Sequence, residues 1–330
     1  MRTKTMRRIL AVGAAVALCI TLGSCRTTGQ DTSNTSPVTT AAAEVTTPYP
    51  TVVAAGDIAC DPAHQYFNGG SAQWCKDRET ANRVRAINPY KVIALGDLQY
   101  EDATLSKFQQ SYGRSWGQSD IKTRTYPVVG NHEYKTANAQ GYRDYFGNPG
   151  DSDLAYSKTI GGWRVFFLNS NCAELDKAGV SGSCAGQVSW MKETMTNSPT
   201  KCSIAAFHHP RRTDVANHYP GTTTVAGIEQ AFYDKRGEII LNGHAHSIEI
   251  SNKITPSGAN SDRGVKHFTI GSGGKENLKP WQSATKPGWT DYRNNGEHAV
   301  LKLTLKPTSY DYAVVDIDGN TLRSGTRNCF

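Results

Sequence analysis

Five short apolar runs recur along the chain, and each ends in a polar turn. Continuous apolar runs of this length are typical of strands that are buried on both faces. The pattern therefore predicts the central strands of covered sheets, with polar side chains where each strand ends. The runs are "TVVAAGDIA" (51–59), "KVIALGDLQY" (91–100), "TYPVVGNHEY" (125–134), "KCSIAAFHHP" (201–210) and "GEIILNGHAH" (237–246).

Helical patterns lie between several of these runs. The segment "CKDRETANRVRAINPY" (75–90) predicts a helix that stops before Pro89, and helical pieces also fit 103–117, 185–197 and 224–237. Residues 163–170, 265–274 and 298–319 show shorter-range alternation, which predicts antiparallel strands and hairpins. The expected fold class is α/β with α+β character: two mixed β-sheets packed face to face, with helices outside them.

The first 25 residues have the pattern of an export signal. Basic residues precede the apolar stretch "ILAVGAAVALCITL" (9–22), which is too short to span a membrane. "LGSC" (22–25) resembles the processing box of bacterial lipoproteins, so Cys25 is the expected lipidation site. Two alternatives stay open: a twin-arginine signal at Arg7-Arg8, and a buried core helix.

The next segment, 26–49, is dominated by Thr, Ser and Ala and has no periodic apolar face. This composition predicts a disordered tether. Residues 50–330 would then form one domain, since no internal repeat or second linker divides them. The protein is expected to be exported and held at the cell surface or in the periplasm, contacting the membrane only through its lipid.

The charge of the chain points to no particular partner. The whole chain has a formal net charge of +7, but without the signal 32 basic residues face 29 acidic ones. No basic stripe is interleaved with aromatic residues, so the sequence indicates no nucleic-acid platform.

Six cysteines follow the signal and its cleavage point. An even number in an exported chain predicts disulfides, although six cysteines allow about fifteen pairings. None has the paired Cys-x-x-Cys spacing of a metal site. Short loops favour Cys60 with Cys75 and Cys172 with Cys184, which leaves Cys202 for Cys329.

Each of the five turns carries side chains able to bind a metal ion. In covered sheets the carboxyl ends of strands gather ligand-binding groups. Seven donors are too many for one ion that keeps an open position, so two ions are expected, about 3.5–4 Å apart and bridged by the two oxygens of one carboxylate. Glycines 56, 96, 130 and 243 precede the ligands and are expected to make the sharp turns. The donors are Asp57, Asp97, Tyr100, Asn131, His208, His244 and His246.

The blocks "GDIA", "GDLQY", "GNHE", "AAFH" and "GHAH", in this order, resemble the five signature blocks of calcineurin-like metallophosphoesterases. Most of that superfamily has Asp-x-His in the first block, whereas this chain has Asp57-Ile58-Ala59. The purple acid phosphatase branch instead has a tyrosine three residues after the second aspartate, which corresponds to Tyr100. The resemblance covers about residues 50 to 275 and implies a four-layer sandwich.

The resemblance also implies a ligand assignment. Fe(III) would be bound by Asp57, Tyr100 and His246, and a divalent ion (iron, zinc or manganese) by Asn131, His208 and His244, with Asp97 bridging the two. His132 would donate to the substrate phosphate or to the leaving group. His218, ten residues after His208, has a spacing similar to that of a substrate-loop histidine in plant members.

Two differences from the family pattern limit how far the family's residue roles apply to this chain. Ala205 stands in the fourth block where the family usually has valine, and the chain lacks the N-terminal β-sandwich of the plant enzymes. His209, Arg211 and Arg212 follow the fourth block directly, and we expect them to be solvated surface residues and not a phosphate clamp. His64 is a candidate for the edge of the pocket.

The expected function is hydrolysis of small phosphate monoesters by attack of a metal-bound hydroxide, as in an acid phosphatase. A phosphodiesterase or nucleotidase on the same metal core is the alternative within enzymes. A non-catalytic surface-binding protein is the alternative from another class, and a metalloprotease is excluded because no His-Glu-x-x-His is present.

Overall fold

The structure is a computed structural model that describes residues 49–150, 153–179, 183–218, 221–276 and 280–330. The predicted signal, Cys25 and nearly all of the predicted tether lie outside these residues. The described residues belong to one unit that spans 47 to 330.

Seven α-helices lie in the described part of the chain, joined in places by single 3₁₀ turns. The first ends where the sequence predicts, because Asn88 takes a left-handed conformation (φ 49°) directly before Pro89. The helices are α1 (Asp77–Ile87), α2 (Leu105–Gln110), α3 (Ser119–Lys122), α4 (Gln140–Phe146), α5 (Cys172–Lys177), α6 (Ser183–Asn197) and α7 (Ala226–Asp234).

The first sheet has six strands. They are β1 (Thr51–Ala55), β2 (Lys91–Leu95), β3 (Thr125–Val128), β11 (Ala299–Leu305), β12 (Ser309–Asp316) and β13 (Thr321–Asn328). Their order is β13-β12-β11-β1-β2-β3. The strands β1, β2 and β3 are parallel, and the remaining neighbours are antiparallel.

The second sheet has seven strands. They are β4 (Tyr156–Ile160), β5 (Trp163–Phe167), β6 (Ser203–Ala206), β7 (Ile239–Asn242), β8 (Ile248–Ile254), β9 (Val265–Ile270) and β10 (Thr290–Asn294). Their order is β10-β8-β9-β7-β6-β5-β4, and the inner strands β9, β7, β6 and β5 are parallel.

Alternate residues of the second sheet face two different apolar layers. On β5, Val165 and Phe167 belong to the core shared with the first sheet, whereas Phe166 packs with Met191 of α6 and Phe232 of α7. Both faces of the sheet are therefore buried, which explains the continuous apolar runs. The predicted fold of two mixed sheets with helices outside is confirmed.

The prediction of antiparallel pairing for 163–170 and 265–274 is wrong in part. Strand β5 pairs antiparallel with β4 but parallel with β6, and β9 pairs antiparallel with β8 but parallel with β7. The two strands lie where the parallel centre of the sheet meets its antiparallel edges. Each therefore pairs in parallel on one side and antiparallel on the other, and its sequence has the full pattern of neither kind of strand.

Three disulfides hold the loops in the pairing that loop length favours. Cys60–Cys75 closes the loop after β1, and Cys172–Cys184 joins α5 to α6. Cys202–Cys329 joins the residue before β6 to the residue after β13. In the chain-entropy account, each of the two short loops stabilises the fold by about 3 kcal/mol and the long Cys202–Cys329 loop by about 5 kcal/mol. None of the described helices has the length and apolarity needed to cross a bilayer.

Candidate metal centre

A first cluster of donor atoms surrounds the hydroxyl of Tyr100. Its Oη lies 2.7 Å from Asp57 Oδ1 and 2.9 Å from His246 Nε2. His246 Nε2 is itself 3.2 Å from Asp57 Oδ1. The turns after β1, β2 and β7 thus bring one carboxylate, one phenol and one imidazole to the same point.

A second cluster lies where β3, β6 and β7 end. His208 Nε2 is 3.2 Å from Asn131 Oδ1, and the ring of His208 is 5.0 Å from that of His244 between centroids. These are amide and imidazole donors, which suit a divalent transition metal.

Asp97 lies between the two clusters. Its Oδ2 is 3.2 Å from Tyr100 Oη in the first cluster and 3.2 Å from His208 Nε2 in the second. Its other oxygen, Oδ1, accepts a 2.7 Å hydrogen bond from the backbone N–H of His132. A single carboxylate oxygen therefore faces both clusters, whereas the sequence argument expected both oxygens to share the bridging.

Two of the histidines are oriented from behind. His208 Nδ1 is 2.8 Å from the carbonyl oxygen of Leu95, and His246 Nδ1 is 3.0 Å from Glu276 Oε1. A carbonyl or carboxylate on Nδ1 favours the tautomer that leaves Nε2 free to bind a metal. Glu276 was missed in the sequence, since no spacing relates it to His246.

Four of the candidate ligands have left-handed backbone conformations, which are costly for residues other than glycine. The φ values are 60° at Asp57, 49° at Asp97, 71° at His244 and 46° at His246. Such conformations cost about 1–3 kcal/mol each and concentrate at functional sites. The backbone therefore supports a functional role for the three turns that carry these residues.

The preceding glycines act differently from the prediction. Of the four, only Gly96 has a positive φ (83°). A Cβ atom on Gly130 would lie 2.3 Å from Asp97 Oδ1, and one on Gly243 would lie 2.7 Å from Asp57 Oδ2. Glycine is needed at these positions for close approach to the carboxylates, and the ligand residue itself makes the turn.

The centre is strongly polar and mostly buried, with Asn131 and His244 partly exposed. Burial would raise the pKa of Asp97, but the adjacent His208 holds it well below its ordinary value. Burial would lower the pKa of His208, but Asp97 outweighs burial and raises the pKa to about 9. Burial would lower the pKa of His246, but Asp57 and Glu276 outweigh burial and raise the pKa to about 9. The carboxylates thus favour positive charge at the centre.

The same surroundings oppose ionisation of Tyr100. Burial raises the pKa of its phenol well above the ordinary value, and the charges of Asp57 and Asp97 raise it further. A phenolate at this position therefore requires a cation beside it. The donor set fits metal ions, because two buried carboxylates, a phenol and free imidazole nitrogens converge where a cation would offset their charge.

Glu133, the last residue of the "GNHE" block, was given no role by the sequence. Its carboxylate is fully buried and accepts backbone hydrogen bonds from Gly130 at 2.7 Å, Leu98 at 2.8 Å and Asp97 at 3.0 Å. It joins the turn after β2 to the turn after β3. Glu133 therefore positions Asp97 and Asn131 through the backbone.

Both predicted proton donors lie near the clusters. His132 Nδ1 is 2.6 Å from the carbonyl oxygen of Glu101, and His132 Nε2 is 3.9 Å from Asp97 Oδ2. The ring of His218 lies 4.5 Å from the ring of His244 and 6.2 Å from that of His246, between centroids.

The preferred interpretation of His209 and Arg212 as solvated surface is wrong. His209 is partly buried, with Nδ1 2.8 Å from Ser170 Oγ, and its ring lies 4.5 Å from that of His244. Arg212 forms a 2.6 Å ion pair with the buried Glu229. Arg211 is partly exposed, 3.9 Å from Glu229. The Arg212 guanidinium is held by a protein carboxylate, which a phosphate clamp would need to release.

His64 lies beside the first disulfide. Its ring stacks on Trp74 at 5.1 Å, and Nδ1 is 3.3 Å from Cys75 Sγ. Cys60, His64 and Cys75 are grouped closely enough for a metal site, but both sulfurs are in a disulfide. They are therefore not metal ligands.

A cleft of about 340 Å³ adjoins the second cluster. It begins at Asn131 and His209 and extends past Tyr134, Lys135 and Glu174. Clefts of this size and position are usual for small substrates.

A family model for calcineurin-like phosphoesterases matches residues 50–247, which include all seven donors. The chain belongs to this family. Purple acid phosphatase 18 of Arabidopsis thaliana is 25% identical over 255 residues, covering 71% of this chain and 56% of its own.

Solved structures agree on the fold. Purple acid phosphatase PPD1 of yellow lupin has a TM-score of 0.69 at 16% identity, covering 84% of this chain and 53% of its own. GAP50 of Plasmodium has a TM-score of 0.61 at 13% identity, covering 86% of this chain and 90% of its own. The chain spans about half the length of the purple acid phosphatases named here.

Proposed function

We propose that this protein is an exported phosphoesterase with two metal ions that hydrolyses phosphate monoesters. The observation that carries the proposal is the position of Asp97 Oδ2, 3.2 Å from a donor of each cluster. A carboxylate oxygen within reach of two donor sets suits a dinuclear site. Family membership and similarity to purple acid phosphatases support the same reaction class.

The first cluster is proposed to bind Fe(III) through Asp57, Tyr100 and His246. A phenolate is a hard anionic donor, and its high pKa without a cation favours a trivalent partner. The second cluster, with Asn131, His208 and His244, is proposed to bind a divalent ion such as iron, zinc or manganese.

The bound ions would supply a hydroxide nucleophile, by lowering the pKa of water, and would offset negative charge on the phosphate. The protein positions the groups around that reaction. The carbonyl of Glu101 accepts from His132 Nδ1, which turns Nε2 towards the centre. His218 lies over His244. His218 is placed to donate to phosphate oxygens or to the departing alkoxide. His132 donates from Nε2 only as the imidazolium, because the proton on its Nδ1 is held by the carbonyl of Glu101.

A phosphodiesterase or nucleotidase is the second candidate, because the same centre serves diesters and the adjoining cleft has room for a leaving group. A binding role on this fold is the third, since GAP50 is described as an anchor in an inner membrane complex. The complete donor set favours catalysis, because a protein that only binds a partner has no need of seven convergent ligands.

The test is an assay of the purified, metal-loaded protein on an aryl monoester, an aryl diester and a nucleotide. We expect kcat/KM for the monoester to exceed that for the diester by at least about tenfold, and a chelator to abolish both activities. A reversed preference would establish the diesterase alternative. No turnover of any ester by protein with two bound ions would favour the binding role.

We also propose that the protein is anchored by a lipid on Cys25, with 26–49 as a tether and 50–330 as the catalytic domain. The three disulfides support an oxidising compartment outside the cytoplasm. Cys25→Ser should release most of the protein from the membrane fraction, because the single acylated residue is lost. Fractionation and N-terminal sequencing check this. A wild-type protein that is already soluble and begins elsewhere than Cys25 would contradict the anchor.

A further inference from the structure

A row of basic side chains lies at the amino-terminal ends of the parallel strands in the second sheet. Arg263, Arg236 and Lys201 precede the neighbouring strands β9, β7 and β6, and Arg164 is the second residue of the next strand, β5. Adjacent strands are about 4.8 Å apart, so four cations follow one edge over roughly 15 Å. Strand order, and not sequence proximity, creates this row.

These cations are not neutralised by ion pairs. Among the described residues, no acidic side chain lies within 4.0 Å of any of the four. Two shallow cavities of about 290 and 240 Å³ share Arg236; Arg263 lines the first, and Arg164 and Lys201 line the second. Asp234 is the acidic side chain among the lining residues. The charged side chains that line the two cavities are therefore mainly cationic.

The first sheet contributes to the same end of the molecule. A cleft of about 810 Å³ is lined by Tyr49, Tyr90, Lys91 and Arg124, which precede or begin β1, β2 and β3, and by Gly161 just before β5. Tyr49 is 50% exposed and Tyr90 is 59% exposed. We call Lys91, Arg124, Arg164, Lys201, Arg236 and Arg263, with these two tyrosines, the basic pole.

The basic pole is opposite the candidate metal centre. The donors follow the carboxyl ends of β1, β2, β3, β6 and β7, and the pole lies at the amino ends of the same parallel strands. The predicted tether ends at this pole, because Tyr49 and Pro50 line its cleft. A lipid on Cys25 would therefore be joined to this end of the domain through 26–49.

We propose that the basic pole docks on an anionic lipid surface and so directs the metal centre away from the membrane. Lysine and arginine near a surface of acidic headgroups bind it electrostatically, and tyrosine is favoured at the boundary between headgroups and acyl chains. A soluble polyanion would use the cations alone. The exposed tyrosines and the arrival of the tether at the same pole favour a lipid surface.

Sedimentation with vesicles tests the proposal on the full chain. Vesicles of phosphatidylcholine alone are compared with vesicles containing about a third phosphatidylglycerol, at low and high salt. Every variant carries the same lipid on Cys25 or, if unprocessed, the same apolar stretch 9–22, so that contribution is common to all. Arg236→Gln/Arg263→Gln removes two exposed cations of the pole. Arg78→Gln/Lys177→Gln is the control at the opposite end, because both cations are exposed on helices that follow carboxyl ends of strands, although Lys177 is paired with Glu174 at 2.7 Å.

The pole variant should bind anionic vesicles roughly 10- to 30-fold more weakly than wild type, and the control should bind as wild type does. Raising the salt should remove the difference. The emission wavelength of an environment-sensitive fluorophore attached to Tyr90→Cys should shift when vesicles bind. The emission of the same fluorophore on Lys177→Cys should not. Binding of soluble polyphosphate is measured on the same variants as a probe of a polyanion site. Equal vesicle binding by both double variants would overturn the proposal, as would a pole variant that loses polyphosphate binding and keeps vesicle binding.

Discussion

Asp97→Asn should lower bound metal from about two ions per chain to one or fewer, and should reduce phosphatase activity by more than about 100-fold. Asp97 Oδ2 is 3.2 Å from donors of both clusters, so loss of its charge weakens both proposed sites at once. Loss of a residue that merely supports a metal ligand typically costs about 10–100-fold, and a bridging ligand should exceed that range. Metal analysis and initial rates on an aryl monoester measure the two effects.

Two variants make this result specific. Asp77→Asn removes another buried carboxylate, in α1 and outside both clusters, and should keep wild-type metal content. His218→Ala should also keep the metal while lowering activity less than Asp97→Asn, because His218 lies beside the ring of His244 and is not among the seven candidate ligands. Equal metal content in wild type and Asp97→Asn would contradict the assignment of Asp97 as the bridge.

The positions of the donors could be predicted because they depend on local pattern. Each apolar run predicts a strand, and the polar turn after it places a candidate ligand at the carboxyl end. Once two mixed sheets are expected, the ends of β1, β2, β3, β6 and β7 are brought to one region by topology. The resemblance then supplies a tyrosine as a ligand, which no pattern of burial or charge distinguishes from packing.

The supporting carboxylates could not be predicted, because their partners are distant in sequence or lie on the backbone. Glu276 is 30 residues beyond His246, and their 3.0 Å contact depends on the loop after β9 returning to the centre. Glu133 binds backbone N–H groups, which leave no signature in side-chain spacing. The single oxygen shared by both clusters is likewise a consequence of the N–H of His132 occupying Asp97 Oδ1.

Arg212 shows that a residue next to a candidate ligand in sequence can have a purely structural role. Two arginines directly after a ligand histidine suggest either solvent exposure or phosphate binding, and sequence cannot reveal a buried carboxylate on α7. The 2.6 Å pair with Glu229 decides for a structural role. Residues beside a site in sequence therefore need their own contacts before they are assigned to it.

Tyr100→Phe should abolish the violet or pink colour expected of iron-loaded wild type, and should lower bound iron. The colour would arise from charge transfer between the phenolate and Fe(III), so it requires the oxygen that contacts Asp57 at 2.7 Å and His246 at 2.9 Å. The fold should survive, since the ring still fills its buried space. Loss of one buried hydroxyl partner costs about 1–3 kcal/mol.

Tyr112→Phe is the matched control for this prediction. Tyr112 is also fully buried, and its hydroxyl has no hydrogen-bond partner within the described structure. Its removal should leave colour and iron unchanged, because Tyr112 lies outside both donor clusters. Activity of Tyr100→Phe should fall without vanishing, since Asp57, His246 and Asp97 could still hold a divalent ion weakly. Visible spectra and iron analysis of the three proteins decide the point. A colourless, iron-free wild type with full activity would remove Tyr100 from the iron ligands and place the chain among phosphoesterases that use two divalent ions.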